Sequence, residues 1–221
     1  KAGEKEYRRW MANREMARNI SRMEAAGSKV VYRSVDVRDA SAVGKIVDAV
    51  REEYGPISGV VHGAGVLADR RIEDKTAEQF ELVYSTKVNG LQALLSATAQ
   101  DDLKIVALFS SFTGRYGRVG QIDYAAANEV LNKLAQSEAR NRPNCRVVSV
   151  NWGPWNGGMV DSSLRRVFEA EGVGLIEPRA GADYLVKELS TPAGERQPVE
   201  VVVLAPFGNE GETKSASMEA A

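Results

Sequence analysis

The sequence predicts an α/β domain built on a doubly wound parallel sheet. Short apolar runs that read as strands alternate with amphipathic helical stretches, and that alternation is the signature of parallel crossovers. The runs are nearly continuous in apolar residues, as in strands covered on both faces. Polar or glycine residues follow four of them: Asp36, the His62–Gly65 turn, Ser110-Ser111, and Asn151–Trp155. Ligands of such sheets bind beyond the carboxyl ends of the strands, so these four places are the candidate crevice.

In chain order, Glu4 to Ala26 reads as a charged helix, with Met16, Ile20 and Met23 at helical spacing and Gly27 as its stop. Lys29 to Asp36 reads as a strand because Val30, Val31, Tyr32 and Val35 supply branched and aromatic bulk. Val43, Ile46, Val47 and Val50 share a helical face that Gly55-Pro56 ends. Ser58 to His62 is a buried strand. Thr76 and Gln79 form a capping box before a helix striped by Phe80, Val83, Val88, Leu91 and Leu95. Leu103 to Phe109 is a strand, Tyr124 to Arg140 a helix, and Arg146 to Asn151 a strand. Short helices at Leu164–Glu169 and Ala180–Leu189 precede a last strand, Val199–Ala205. Residues 1–206 are expected to form one catalytic domain. Residues 207–221 are small, polar and charged, and read as a loose tail.

Composition narrows the function classes. The 221 residues carry a net charge of −1, with 43% apolar and 27% charged residues, so nothing points to nucleic acid. No run of about 18 apolar residues exists to cross a membrane. The first residues lack the apolar core of a secretory signal. One cysteine, Cys145, and one histidine, His62, make neither a disulfide framework nor a metal site. A cytoplasmic protein without metal is expected.

Tyr124 and Asn128 lie four apart on one helix and share a face. Ser111 ends a strand thirteen positions earlier, and Gly114, Gly117 and Gly120 let the intervening chain fold back. Lys87 is the cation in the middle of its helix stripe. Reduction of a ketone needs a proton donor and a group to polarise the carbonyl. A tyrosine is such a donor, and a nearby ammonium is expected to lower its pKa. The serine can hold the carbonyl oxygen, and the asparagine a relay water. Taken singly, each residue has a plain reading as well: packing for the tyrosine and serine, solvated charge for the lysine.

The run Phe109-Ser-Ser-Phe-Thr-Gly114, followed by Tyr124-Ala-Ala-Ala-Asn128, resembles the ketoreductase domains of type I polyketide and fatty-acid synthases, within the short-chain dehydrogenase/reductase superfamily. Val61-His-Gly-Ala-Gly-Val66, Thr86-Lys-Val-Asn-Gly90 and Asn151-Trp-Gly-Pro-Trp155 match in order and spacing. Val66 to Lys75, Gly157–Val160 and Glu171–Gly174 look similar to the polyunsaturated-fatty-acid synthase branch. The resemblance covers about Arg14 to Pro206. It implies a Rossmann-like fold and NADPH-dependent reduction of a β-ketoacyl thioester on acyl carrier protein, with neighbouring synthase domains as further partners.

By the same resemblance, Tyr124 is the general acid, Ser111 the donor to the substrate oxygen, Lys87 the ribose ligand that tunes Tyr124, and Asn128 part of the proton relay. Lysine at Lys87 with asparagine at Asn128 is the synthase arrangement. Asp36 and Val37 would contact adenine, although Asp36's neighbour Asp39 reads as a helix cap. Gly63, Ala64 and Gly65 would pass the adenosine ribose, and Pro154 and Trp155 would border the nicotinamide. Trp152 and Trp155 also read as core aromatics, and His62 as the end of its strand. Leu67-Ala68-Asp69 resembles the Leu-Asp-Asp signature of ketoreductases giving a D-configured hydroxyl, with its middle residue changed. Tyr116 stands where the opposite class often has tryptophan. Asp69 and Tyr116 are therefore the stereocontrol candidates.

The family opens with a strand, a glycine-rich turn and a helix that holds the pyrophosphate. This βαβ unit is absent before Lys29, so the sequence is expected to be part of a longer polypeptide. A truncated protein that binds no nucleotide is the alternative. Other functions stay open: a freestanding carbonyl reductase, a non-catalytic structural Rossmann domain of a synthase, and a nucleotide-sensing module.

Overall fold

The computed structural model describes residues 2–160, 162–192 and 197–206. The chain divides into two compact units, Lys1–Val35 and Asp36–Ala221. The tail expected from Gly208 lies outside the described residues.

In the first unit, α1 spans Ala2–Ala25. Gly27 ends it with φ 90°, a backbone that favours glycine. The Ser28 and Gly27 amides close on the carbonyls of Met23 and Glu24. Met16, Ile20 and Met23 line a shallow groove together with Val30, Val31 and Tyr32. The strand expected over Lys29–Asp36 does not form, and no residue of that segment joins a ladder. Branched residues favour extended backbone, but a strand exists only where a neighbour takes up its amides and carbonyls.

In the second unit, α2 (Ala40–Tyr54) starts at Asp39, whose carboxylate caps the Ala42 amide at 2.9 Å. There follow β1 (Gly59–His62), a 3-10 turn (Ile72–Asp74), α3 (Ala77–Ala97) and β2 (Ile105–Ser111). Thr76 and Gln79 form both halves of the predicted capping box. Then come the single turn α4 (Thr113–Tyr116), α5 (Ile122–Asn141), β3 (Arg146–Trp152), α6 (Ser162–Ala170), α7 (Pro178–Leu189) and β4 (Glu200–Val203). α5 begins two residues before the predicted start, and α4 was not anticipated within the glycine-rich stretch.

The four strands form one parallel sheet in the order β1-β2-β3-β4. Alternation along β2 and β3 divides the core into two. Val106, Leu108 and Val147 face Leu91 of α3 with Leu131 and Ala135 of α5. Ala107, Val148, Val150 and Trp152 face the other way, against Tyr184, Leu185 and Leu189 of α7. Helices therefore cover both faces, which is the doubly wound arrangement. Among the described residues no helix is long and apolar enough to cross a membrane.

α5 rests on the sheet through polar contacts as well as apolar ones. Ser110 Oγ lies 3.1 Å from the Asn128 carbonyl and 3.0 Å from Asn151 Oδ1. Asn132 donates to Asn151 Oδ1 at 3.0 Å and accepts from Ser149 at 2.7 Å. All five residues are buried. Misregistering such a network would strand buried polar atoms, so it fixes the level at which α5 sits on the strands.

Candidate active site

The site lies at the carboxyl ends of β1 and β2 and on the first turns of α5. Lys87, in mid-α3, is 3% exposed. Its Nζ donates to the Phe109 carbonyl of β2 at 3.0 Å and lies 5.2 Å from the centre of the Tyr124 ring. Burial lowers its pKa from 10.5 to about 8. The ammonium has three N–H groups, and its length spans the gap under the 63–65 turn. At Gly65 a side-chain carbon would stand 3.2 Å from Lys87 Cε, so the bare backbone there leaves room for the lysine.

Tyr124 sits half-buried in the first turn of α5. Burial raises its pKa above the usual 10, the Asn128 amide opposes that, and the Asp69 carboxylate adds to it. This corrects the expectation that Lys87 draws the phenol toward neutrality. The ammonium is engaged by the Phe109 carbonyl and the ring, and the cost of burying a phenolate prevails. The phenol thus stays in its proton-bearing form.

Ser111 Oγ accepts from the Thr113 hydroxyl at 3.0 Å and from the Thr113 amide at 3.3 Å. With two incoming donors, its own proton is left to point at a third partner. Asn128 is fully buried and donates to the Tyr124 carbonyl at 2.7 Å, while its Oδ1 has no partner. Asp69 accepts from Gln121 at 2.8 Å through Oδ2, and its Oδ1 is buried without a partner. Unpartnered buried oxygens are costly unless something fills them, so both mark where a ligand or water belongs.

The remaining candidates are placed differently. Asp36 is exposed and gripped by Arg38 at 2.6 Å, which holds its carboxyl down to about 2. Val37 packs on bare backbone at Gly90, where a side-chain carbon would stand 2.9 Å from its Cγ2. Around Gly63 the protein is open, with only the Phe109 ring within reach at 3.9 Å. Ala64 is half-buried in the same turn. Pro154 is buried, and its carbonyl accepts from Ile176 at 2.8 Å. The Trp155 ring meets Trp152 edge-on at 4.8 Å and fits over Gly181 of α7, so it packs as a core aromatic. Tyr116 is 71% exposed at the end of α4.

His62 has a definite job in positioning α3. Its Nε2 lies 2.8 Å from the Lys87 carbonyl, which can only accept, so Nε2 carries the proton. Burial holds its pKa near 4, down from 6.5. Between those values the unfolded chain binds a proton that the folded one does not. Stability tied to His62 is therefore present above about 6.5 and is lost as pH falls toward 4. NMR titration of this single imidazole is expected to give a midpoint near 4, and a midpoint near 6.5 would refute the burial.

Sequence reasoning missed Gln121, Thr113, Lys75 and Asp123. Thr113 and Lys75 lie inside the quoted motifs without a role of their own there; Gln121, Lys75 and Asp123 act through partners that folding brings near, and Thr113 through Ser111 two residues away.

The Lys87 ammonium beside the Tyr124 ring has N–H donors that suit the hydroxyls of a nucleotide ribose.

The KR domain family model matches residues 7–157. A polyunsaturated fatty acid synthase polypeptide of Thraustochytrium sp. is 43% identical over 183 residues, covering 81% of the chain and 6% of that protein. Polyketide synthase PksN of Bacillus subtilis is 30% identical over 194 residues, covering 83% of the chain and 4% of that protein. The chain thus spans a small part of the curated relatives. Two solved structures superpose well: a ketoreductase domain from the bacillaene assembly line and the first ketoreductase of the tylosin polyketide synthase. The first has a TM-score of 0.75, 29% identity and coverage of 86% of this chain and 46% of that one. The second has a TM-score of 0.71, 34% identity and coverage of 85% and 39%. With its parallel sheet and the Lys87 ammonium over the Tyr124 ring, this chain belongs to the KR domain family, the ketoreductases of polyketide and polyunsaturated-fatty-acid synthases.

Proposed function

We propose that the chain reduces a β-ketoacyl thioester on acyl carrier protein to the β-hydroxyacyl thioester, with NADPH as reductant. The observation that carries this reading is the buried Lys87 ammonium lying over the Tyr124 ring, next to a strand end that offers the Ser111 hydroxyl. When bound, NADPH would supply a hydride, a hydrogen with its electron pair, to the carbonyl carbon. Ser111 donates to the carbonyl oxygen and polarises it. Tyr124, kept protonated by burial, gives its proton to that oxygen as charge develops there. Lys87 stabilises the phenolate left behind and would hold the nicotinamide ribose through the N–H groups not given to the Phe109 carbonyl. Asn128 orients a water that returns the proton.

Asp36 and Val37 would hold the adenine, Gly63 to Gly65 the adenosine ribose, and Pro154 with Trp155 the nicotinamide. The Asp69 carboxylate acts on Tyr124 electrostatically, and its Leu67-Ala68-Asp69 context would favour the D product. Tyr116 lies at the rim. Neighbouring synthase domains are the other partners.

Oxidation of NADPH and of NADH by the full-length protein tests the assignment, with one β-ketoacyl group presented on carrier protein and on a small thiol. Faster turnover with NADPH and the carrier-bound acyl group is expected. Equal turnover with the small thiol would favour a freestanding carbonyl reductase.

A further inference from the structure

One buried ion pair beside the site takes no part in the chemistry above. Lys75 Nζ lies 2.6 Å from Asp123 Oδ2, with the two side chains 4% and 0% exposed. The same ammonium donates to the Ala68 carbonyl at 2.8 Å. The other carboxylate oxygen, Asp123 Oδ1, accepts the Tyr124 backbone amide at 2.9 Å. One cation and one anion thus join the Leu67-Ala68-Asp69 loop to the main chain of Tyr124. Two weaker ties run beside them: Gln121 to Asp69, and the Arg70 amide to the Gly120 carbonyl at 3.0 Å.

Stability alone gives little reason for such a pair. Removing two charges from water costs about what their attraction returns, and an apolar pair of similar volume often serves as well. Directional bonds supply something an apolar contact cannot. Each oxygen of Asp123 has one assigned donor, and Lys75 splits its donors between the carboxylate and the loop. Asp123 is in the first turn of α5, where a negative charge is favoured by the helix dipole.

We propose that Lys75 and Asp123 form a positioning clasp that sets Tyr124 relative to the Asp69 loop, and thereby the rate of proton delivery and the configuration of the product. The proposal rests on the ketoreductase reading. Neither residue touches a reacting atom; they act through Ala68 and Tyr124.

The test compares wild type, Lys75→Arg, Lys75→Met and the Lys75→Met/Asp123→Leu pair in the full-length protein. The readouts are kcat, KM and the ratio of the two β-hydroxy configurations, which does not depend on how much protein is folded. Lys75→Met is expected to lower kcat roughly 10- to 100-fold, the loss that misplacement of a catalytic group brings, and to erode the product ratio. Lys75→Arg should restore most of both. The apolar pair should fold yet keep the low kcat and the eroded ratio. A folded apolar pair with the wild-type kcat and ratio would overturn the clasp. Unfolding of both Lys75→Arg and the apolar pair would overturn it too, by assigning the pair to stability alone. If the wild type itself reduces no thioester, the ketoreductase reading has failed; an active wild type with unaffected variants sinks only the clasp.

Discussion

Replacing Tyr124 with phenylalanine is expected to lower kcat by roughly 10²- to 10⁴-fold, the usual worth of a positioned proton donor. The substitution removes one oxygen and little else. The ring stays in place under the Lys87 ammonium, and the Asp123 carboxylate still caps the backbone amide of residue 124. Below pH 10 the phenol is protonated in both the folded and the unfolded chain, so its raised pKa adds no stability term there, and thermal stability should change little. Steady-state kinetics and a melting curve separate the outcomes. A large loss of kcat at unchanged melting temperature is expected. A loss that tracks unfolding would remove Tyr124 from the mechanism.

Lys87→Met is expected to act on turnover and stability in opposite directions. Losing the ammonium should lower kcat by roughly 10²- to 10³-fold, as for other preorganised donors. The folded lysine titrates near 8 and the unfolded one at 10.5. Between these values the unfolded chain binds more protons, so the stability of the wild type should rise with pH from about 8 to about 10.5. Below 8 the full penalty of keeping a charged lysine buried is present, about 3 kcal/mol from the shift. The methionine variant lacks this group, so its stability should exceed that of wild type at neutral pH and the difference should shrink above 8. Chemical denaturation across that pH range checks the slope. A wild-type slope no steeper than that of the variant would contradict the burial of the charge.

Local signals were the legible ones. The Thr76–Gln79 box and the Asp39 cap are decided within four residues, and both form as expected. The apolar runs of β2 and β3 read correctly because both faces of each are covered, and β1 reads as a strand although Val61 on its outer face is exposed. Lys29–Asp36 looked equally strand-like, yet pairing depends on a neighbour and not on the segment's own residues. The proximity of Lys87 and Tyr124 was legible through the motifs on α3 and α5. Lys75 and Asp123 were not, since they lie 48 positions apart and only the return of the chain brings them together. The direction of the Tyr124 shift was also hidden, because it depends on how deeply the phenol and the ammonium are buried, and burial cannot be read from residue type. Trp155 had two readings in the sequence, and its fit over Gly181 of α7 gives it a packing role.

The most direct measurement is the mass of the acyl group after the full-length protein has met NADPH and a carrier-bound β-ketoacyl thioester. The acyl group is expected to gain two hydrogens with the wild type and to stay unchanged with Tyr124→Phe over the same time. An unchanged acyl group with wild type that binds NADPH, or equal reduction by Tyr124→Phe, would contradict the assignment of Tyr124 as the proton donor of a ketoreductase.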